Sequence, residues 1–184
     1  MSWIKNLLVF VIACLLTFII SEFTLRYFNI GYGNAPLEKS EVYHHSHPKN
    51  FSFLMHDPNG EYGEHMIYYD ENGYRTNLPN ESNFLENDHP TSIIFLGDSF
   101  TEGNQVKFTD TFVHKVGENL NIKTINLGVS SYSPIIYLQQ VRKQILKAKS
   151  NIVVIQIFRN DFVNDSYYSK SSIRINNKII AING

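Results

Sequence analysis

Three short segments carry the residue types that acyl transfer needs: GDSFTEG from Gly97, NLGVSSYSP from Asn126 and FRNDF from Phe158. Each directly follows an apolar run. Ser99, between Asp98 and Phe100, has a hydroxyl that becomes a nucleophile when a neighbouring group takes its proton. Gly128 offers a backbone N–H with no Cβ beside it, and Asn160 offers a carboxamide. With the N–H of Ser99 itself, these make three donors for the oxyanion of a tetrahedral intermediate. Losing one such donor typically costs about 3 kcal/mol. Asp98 adjoins Ser99 and Asp161 adjoins Asn160, so both read as groups that orient the site or fix its loops rather than as bases.

Positioning these groups requires a particular order of elements. SIIFLG, IKTINLG and NIVVIQIF read as short strands, and the last is apolar enough to predict a strand covered on both faces. Between them, TDTFVHKVGENL places Phe112, Val116 and Leu120 on one helical face, with Thr109 or Asp110 as cap. SPIIYLQQVRKQILKAK places Leu138, Val141 and Ile145 on another, with Ser133 as cap and Pro134 in the first turn. Strand alternating with helix predicts an α/β fold, a three-layer α/β/α arrangement around a parallel sheet reached by right-handed crossovers. Ligands then bind beyond the carboxyl ends of the strands, where all three segments fall. Gly97 is expected to supply backbone angles that a side chain forbids. The terminal IRINNKIIAING predicts a hairpin turning at Asn176-Asn177, and DENGYRT another at Asn72-Gly73.

In this order the segments resemble the SGNH hydrolases, also known as the GDSL esterase/lipase family. GDSFTEG resembles the first block with Ser99 as nucleophile, INLGVSSYSP the second with Gly128 as oxyanion donor, and IFRNDFVND the third with Asn160. DENGYRT is similar to a piece found before the core in membrane-anchored bacterial members. The resemblance spans roughly residues 70–165 and implies a serine hydrolase acting on esters, or an acyltransferase. In anchored relatives the substrate is often an O-acyl group on a surface polysaccharide. Two departures stand out. Phe158 takes the place of the usual glycine, and no histidine follows His114, so the family's Asp-x-x-His block with its general base has no counterpart. The expectation is a hydrolase core incomplete at its C-terminus and weakly active or inactive as it stands: a fragment, a truncated product, or half of a two-chain assembly. Its third strand is then a bare edge unless the terminal hairpin covers it. The alternative is a non-catalytic, membrane-tethered module that binds glycan or a partner through the same rim. A flavodoxin-like nucleotide site is disfavoured because no glycine-rich phosphate loop opens the first helix.

The rest of the chain sets the surroundings. Leu7 to Ile20 is uninterrupted by charge, and with its flanks is long enough to cross roughly 30 Å of hydrocarbon. Lys5 precedes it and no small-residue cleavage site follows, which predicts an uncleaved anchor with the main domain outside the cytoplasm. The organisation expected is residues 1–26 as cytoplasmic tip and transmembrane anchor, 27–90 as linker and irregular cap, and 91–184 as the partial hydrolase core. A net charge of −1 gives no reason to expect nucleic acid. The single cysteine, Cys14, excludes an internal disulfide. His44, His45 and His47 lie close together without further ligands at a fitting spacing and read as solvated, so neither metal nor cofactor is expected. His56, His65 and His89 precede the core and could reach its rim. His114 is expected to be exposed on its helix. Nothing in the sequence fixes an oligomeric state.

Overall fold

The computed structural model describes residues 2–28, 35–55, 63–79, 81, 92–147 and 152–184. It comprises two compact units, residues 1–33 and 34–184. The first holds one helix, α1 (Ser2–Tyr27). Residues Trp3–Tyr27 are long and apolar enough to cross a membrane, with a mean hydropathy of 2.5 and none of that surface buried against protein.

The second unit begins with two small antiparallel sheets. One pairs β1 (Glu38–Ser40) with β2 (His44–Ser46); the other orders β3 (Ser52–Met55), β4 (His65–Tyr69) and β5 (Arg75–Thr76). The β4–β5 turn falls at the expected Asn72-Gly73 pair. Asp70 holds it by accepting the N–H groups of Asn72 and Tyr74. Gly73 has φ +82°, and a Cβ there would lie 2.4 Å from the His47 carbonyl oxygen, so both angle and space demand glycine.

The core follows as β6 (Ser92–Leu96), α2 (Ser99–Glu102), α3 (Phe112–Leu120), β7 (Lys123–Asn126), α4 (Pro134–Lys143), β8 (Ile152–Ile155) and α5 (Asp161–Lys170). It ends in the hairpin of β9 (Ser172–Ile175) and β10 (Lys178–Ile182). The predicted parallel sheet is present in the order β7-β6-β8. One face of β6, Ile93 and Phe95, packs on Val113 of α3; the other, Ile94 and Leu96, joins Ile136 and Tyr137 of α4.

The helices present different faces from those expected. On α3 the buried residues are Val113 and Gly117, while Phe112 and Leu120 are exposed. Gly117 decides this: a Cβ there would meet the Thr124 hydroxyl at 2.7 Å and the Ile122 carbonyl at 2.9 Å, so the helix seats through its glycine. Thr111, rather than Thr109 or Asp110, caps it by accepting the His114 N–H. His114 is half-buried, edge-on to Phe108. On α4, Leu138 is exposed and Gln139 and Gln140 are fully buried. Gln140 Nε2 donates to Leu127 O at 2.9 Å, and Gln139 Nε2 approaches Ile179 O at 3.4 Å, so neighbours on both sides take up the amide donors of side chains that periodicity places outside.

Strand β8 is not covered as expected. All four of its residues are exposed, from 36% for Val154 to 48% for Ile155, whereas every residue of β6 is buried. The terminal hairpin turns at Asn176 and Asn177, both at positive φ, as expected. It leaves β8 and ties back to the cap instead, through a bridge from Ile182 to Tyr43 and a bond from Gly184 N–H to Ser40 O. Among the described residues β8 is therefore the last strand of its sheet, with bare apolar side chains on both faces. Such an edge promotes self-association. Ile155→Lys is expected to lower light scattering of the detergent-solubilised chain and to change its unfolding free energy by less than about 1 kcal/mol. Unchanged scattering would place the sticky surface elsewhere.

Candidate functional site around Ser99

The segment after β6 turns sharply into α2. Asp98 is its N-cap: buried, it accepts the Phe100 N–H through Oδ1 and leaves Oδ2 without a partner. Gly97 is needed for space rather than for angle, because a Cβ would sit 1.9 Å from the Thr101 hydroxyl, which folds back to donate to Gln156 Oε1 at 2.5 Å. That contact ties α2 to the end of β8. Ser99 is exposed, and neither its hydroxyl nor its N–H bonds to any described residue. It lines a cavity of about 520 Å³ together with Ala35, Leu37, Met55, Phe100 and Val106.

Gly128 packs directly beneath α2. A Cβ there would lie 2.6 Å from Glu102 N, so its lack of a side chain serves close packing. Its N–H, expected to be free for an oxyanion, donates to Asn126 Oδ1 at 3.0 Å, while Asn126 Nδ2 donates to Thr101 O at 2.8 Å. Three residues on, Ser131 adopts φ +69° and its N–H meets no acceptor among the described residues. Asn160, at the start of α5, is half-buried, and its Oδ1 meets no donor among the described residues. Phe158, the departure noted above, packs against Phe100 with the rings tilted by 39° and their centroids 4.2 Å apart. The ends of β6, β7 and β8 thus meet at one rim through Val129 N–H to Gly97 O and Gln156 N–H to Leu96 O.

Asp161 fixes the loop before α5. Its Oδ2 accepts the Phe158 N–H and the Tyr137 hydroxyl, each at 3.1 Å. Burial pushes its carboxyl above the ordinary range, aided by the Asp98 and Asp165 carboxylates and opposed by those two hydrogen bonds. Asp165 caps α4 from outside, accepting the Ile135 N–H at 2.6 Å and the Ser133 hydroxyl at 3.0 Å.

The largest feature missed by the sequence reading is Glu102, fully buried at the end of α2. Its Oε2 accepts both the N–H and the hydroxyl of Ser130 at 2.7 Å; its Oε1 accepts the Tyr69 hydroxyl at 2.8 Å and lies 2.8 Å from His47 Nε2. Burial raises the Glu102 pKa, but the adjacent His47 imidazole and the bonds from His47, Ser130 and Tyr69 outweigh it and hold the carboxyl below its ordinary value. Arg75, also buried, donates to the carbonyls of Glu102, Gly103 and Val106, and desolvation pushes its pKa down to about 10. Nothing in the residue pattern singles these two out, since GDSFTEG also carries Asp98 and DENGYRT also carries Asp70 and Glu71.

The histidines expected to be solvated are packed. His47 stacks on Tyr69 and bonds through Nδ1 to Pro36 O at 2.7 Å. His45 Nε2 donates to Ser130 O at 2.8 Å, and burial pushes its pKa down. Of the histidines considered able to reach the rim, His65 is buried with Nε2 bonded to Asn104 O at 2.9 Å; His56 and His89 lie outside the described residues. No described histidine lines the cavity that Ser99 opens into. Among the described residues no three His, Cys, Asp or Glu side chains converge as metal ligands do. No protein-family model matches the chain, and neither does any curated protein or solved structure compared with it.

Removing the Glu102 charge deprives the buried His47 of its carboxylate, so Glu102→Gln is expected to cost about 3 kcal/mol or more at neutral pH. Because the folded pKa of Glu102 is depressed, its contribution is complete above the ordinary carboxylate range and is lost as pH falls through the folded value. The gap in Tm between wild type and Glu102→Gln should accordingly narrow in acid. A gap independent of pH would show that the loss comes from packing instead.

Proposed function

We propose that the unit following α1 is a serine ester hydrolase of the SGNH type, with Ser99 as nucleophile and Asn160 as an oxyanion donor. The observation that carries this reading is the state of Ser99: an unpartnered hydroxyl at the mouth of a cavity, on a turn held by Asp98, Thr101 and Glu102. An exposed serine with only a structural task would not need so much buried polar support. The Ser99 Oγ adds to the ester carbonyl, the alkoxide leaves with the proton that Oγ gave up, and water then cleaves the acyl-serine. Developing negative charge on the carbonyl oxygen falls to the Ser99 N–H and the Asn160 carboxamide. Gly128 joins them only by exchanging its bond to Asn126, and the unpartnered Ser131 N–H is the more available main-chain donor.

With no base beside Ser99 among the described residues, turnover is expected to be slow, since losing the base of such a triad costs about 10⁶ in kcat. That observation also favours a second reading, in which the same rim binds an acylated carbohydrate or a partner without cleaving it. In either case the apolar helix supports a membrane-anchored protein, and Lys5 ahead of it supports an extracytoplasmic site.

Hydrolysis of p-nitrophenyl acetate and labelling by a fluorophosphonate separate the two. The hydrolase reading expects slow but measurable turnover that vanishes in Ser99→Ala, with Asn160→Ala reducing the labelling rate by about 10²-fold or more. Identical rates in wild type and Ser99→Ala would leave the binding reading.

A further inference from the structure

The cavity beside Ser99 is built from two parts of the chain that the hydrolase motifs do not connect. Ala35 and Leu37 precede β1, and Met55 ends β3; Phe100 belongs to α2, and Val106 follows it. Apart from Ser99, these are the walls, and all five are apolar. The remaining lining residues, Gly103, Asn104, Gln105 and Ser130, are uncharged, so among the described residues no Asp, Glu, Lys, Arg or His faces the space. A polysaccharide or charged headgroup would find few partners there. At about 520 Å³ the cavity is of the size that holds a small molecule and far exceeds what an acetyl group fills. Leu37 and Phe100 remain 47% and 53% exposed at this site, apolar surface that a ligand would cover. Met55, unbranched and polarizable, suits a wall that must fit a flexible chain.

We propose that this cavity is an acyl-chain pocket, so that the site takes esters of medium-length, unbranched, uncharged acyl groups in preference to acetyl esters. The inference rests on the hydrolase reading for its direction: the acyl carbon sits at Ser99 and the chain runs between the cap and α2. The cap residues Leu37 and Met55 therefore select the acyl group, while the core supplies the chemistry. Each methylene buried against such walls is expected to strengthen binding about threefold to fourfold.

Two readouts on the full chain in lipid nanodiscs test this separately from the hydrolase reading. In the first, kcat/KM is measured on p-nitrophenyl acetate, butyrate and octanoate. It should rise with chain length, and Leu37→Trp or Val106→Trp, which fill the pocket from opposite walls, should each lower the octanoate-to-acetate ratio at least tenfold. In the second, an octanoyl amide carrying a terminal alkyl diazirine is photolysed with Ser99→Ala, and the labelled peptides are mapped by mass spectrometry. Labels on peptides containing Leu37, Met55 or Val106, lost in the tryptophan variants, support the pocket even if no ester is cleaved. An acetate preference in wild type, a ratio unmoved by either tryptophan, or labels confined to α1 would overturn it.

Discussion

A buried carboxylate that must stay ionised organises the region around Ser99. Taking Glu102 out of water carries a penalty of several kcal/mol even after relaxation. Three hydrogen bonds to a charged acceptor, at about 1.5–3 kcal/mol each, and the nearby His47 imidazole offset it. Those partners come from two places: His47 and Tyr69 from the cap, and Ser130 from the loop after β7. None can move away without leaving the charge uncompensated. Arg75 closes the arrangement by donating to the carbonyls that a four-residue helix cannot satisfy for itself. A helix as short as α2 has little stability of its own. Here Asp98 at its start and Glu102 and Arg75 at its end hold it, and the position of Ser99 is a consequence.

What the sequence made legible is what local chemistry decides. Strands β6 and β7 and the turns at Asn72-Gly73 and Asn176-Asn177 fall where short-range patterns place them, because their determinants lie within a few residues. The helix faces were not legible, for identifiable reasons. Gly117 buries no apolar area of its own, so hydrophobic periodicity cannot see it, yet it sets how closely α3 approaches β7. Gln139 and Gln140 look solvent-facing until the carbonyls of Leu127 and Ile179 are placed beside them. The histidines of the cap posed the same difficulty: His45 and His47 became core residues because Ser130 and Glu102, distant in sequence, supply their partners.

The candidate site was legible as a convergence of segments and illegible in its contacts. Three strand ends do reach one rim, as a parallel sheet requires. Gly128 illustrates the limit. A glycine after a strand is compatible with an oxyanion donor and with a close-packing site, and the sequence cannot distinguish the two. A Cβ at Gly128 would lie only 2.6 Å from Glu102 N, which identifies close packing as the constraint that glycine meets here, and the bond to Asn126 occupies its N–H.

The network also explains why a cap belongs to this core at all. Glu102 bonds to Tyr69 and pairs with His47 of the cap, while Ser99 and Phe100 line the cavity together with Leu37 and Met55 of the same cap. One docking event therefore fixes both the turn that carries Ser99 and the shape of the space before it. On the proposed reading, weakening the docking would disorder the chemistry and the selectivity together, whereas a change confined to the cavity wall would alter selectivity alone. Recognition placed on a separate, loosely attached segment would lack this coupling. Here it follows from the burial of a single charge.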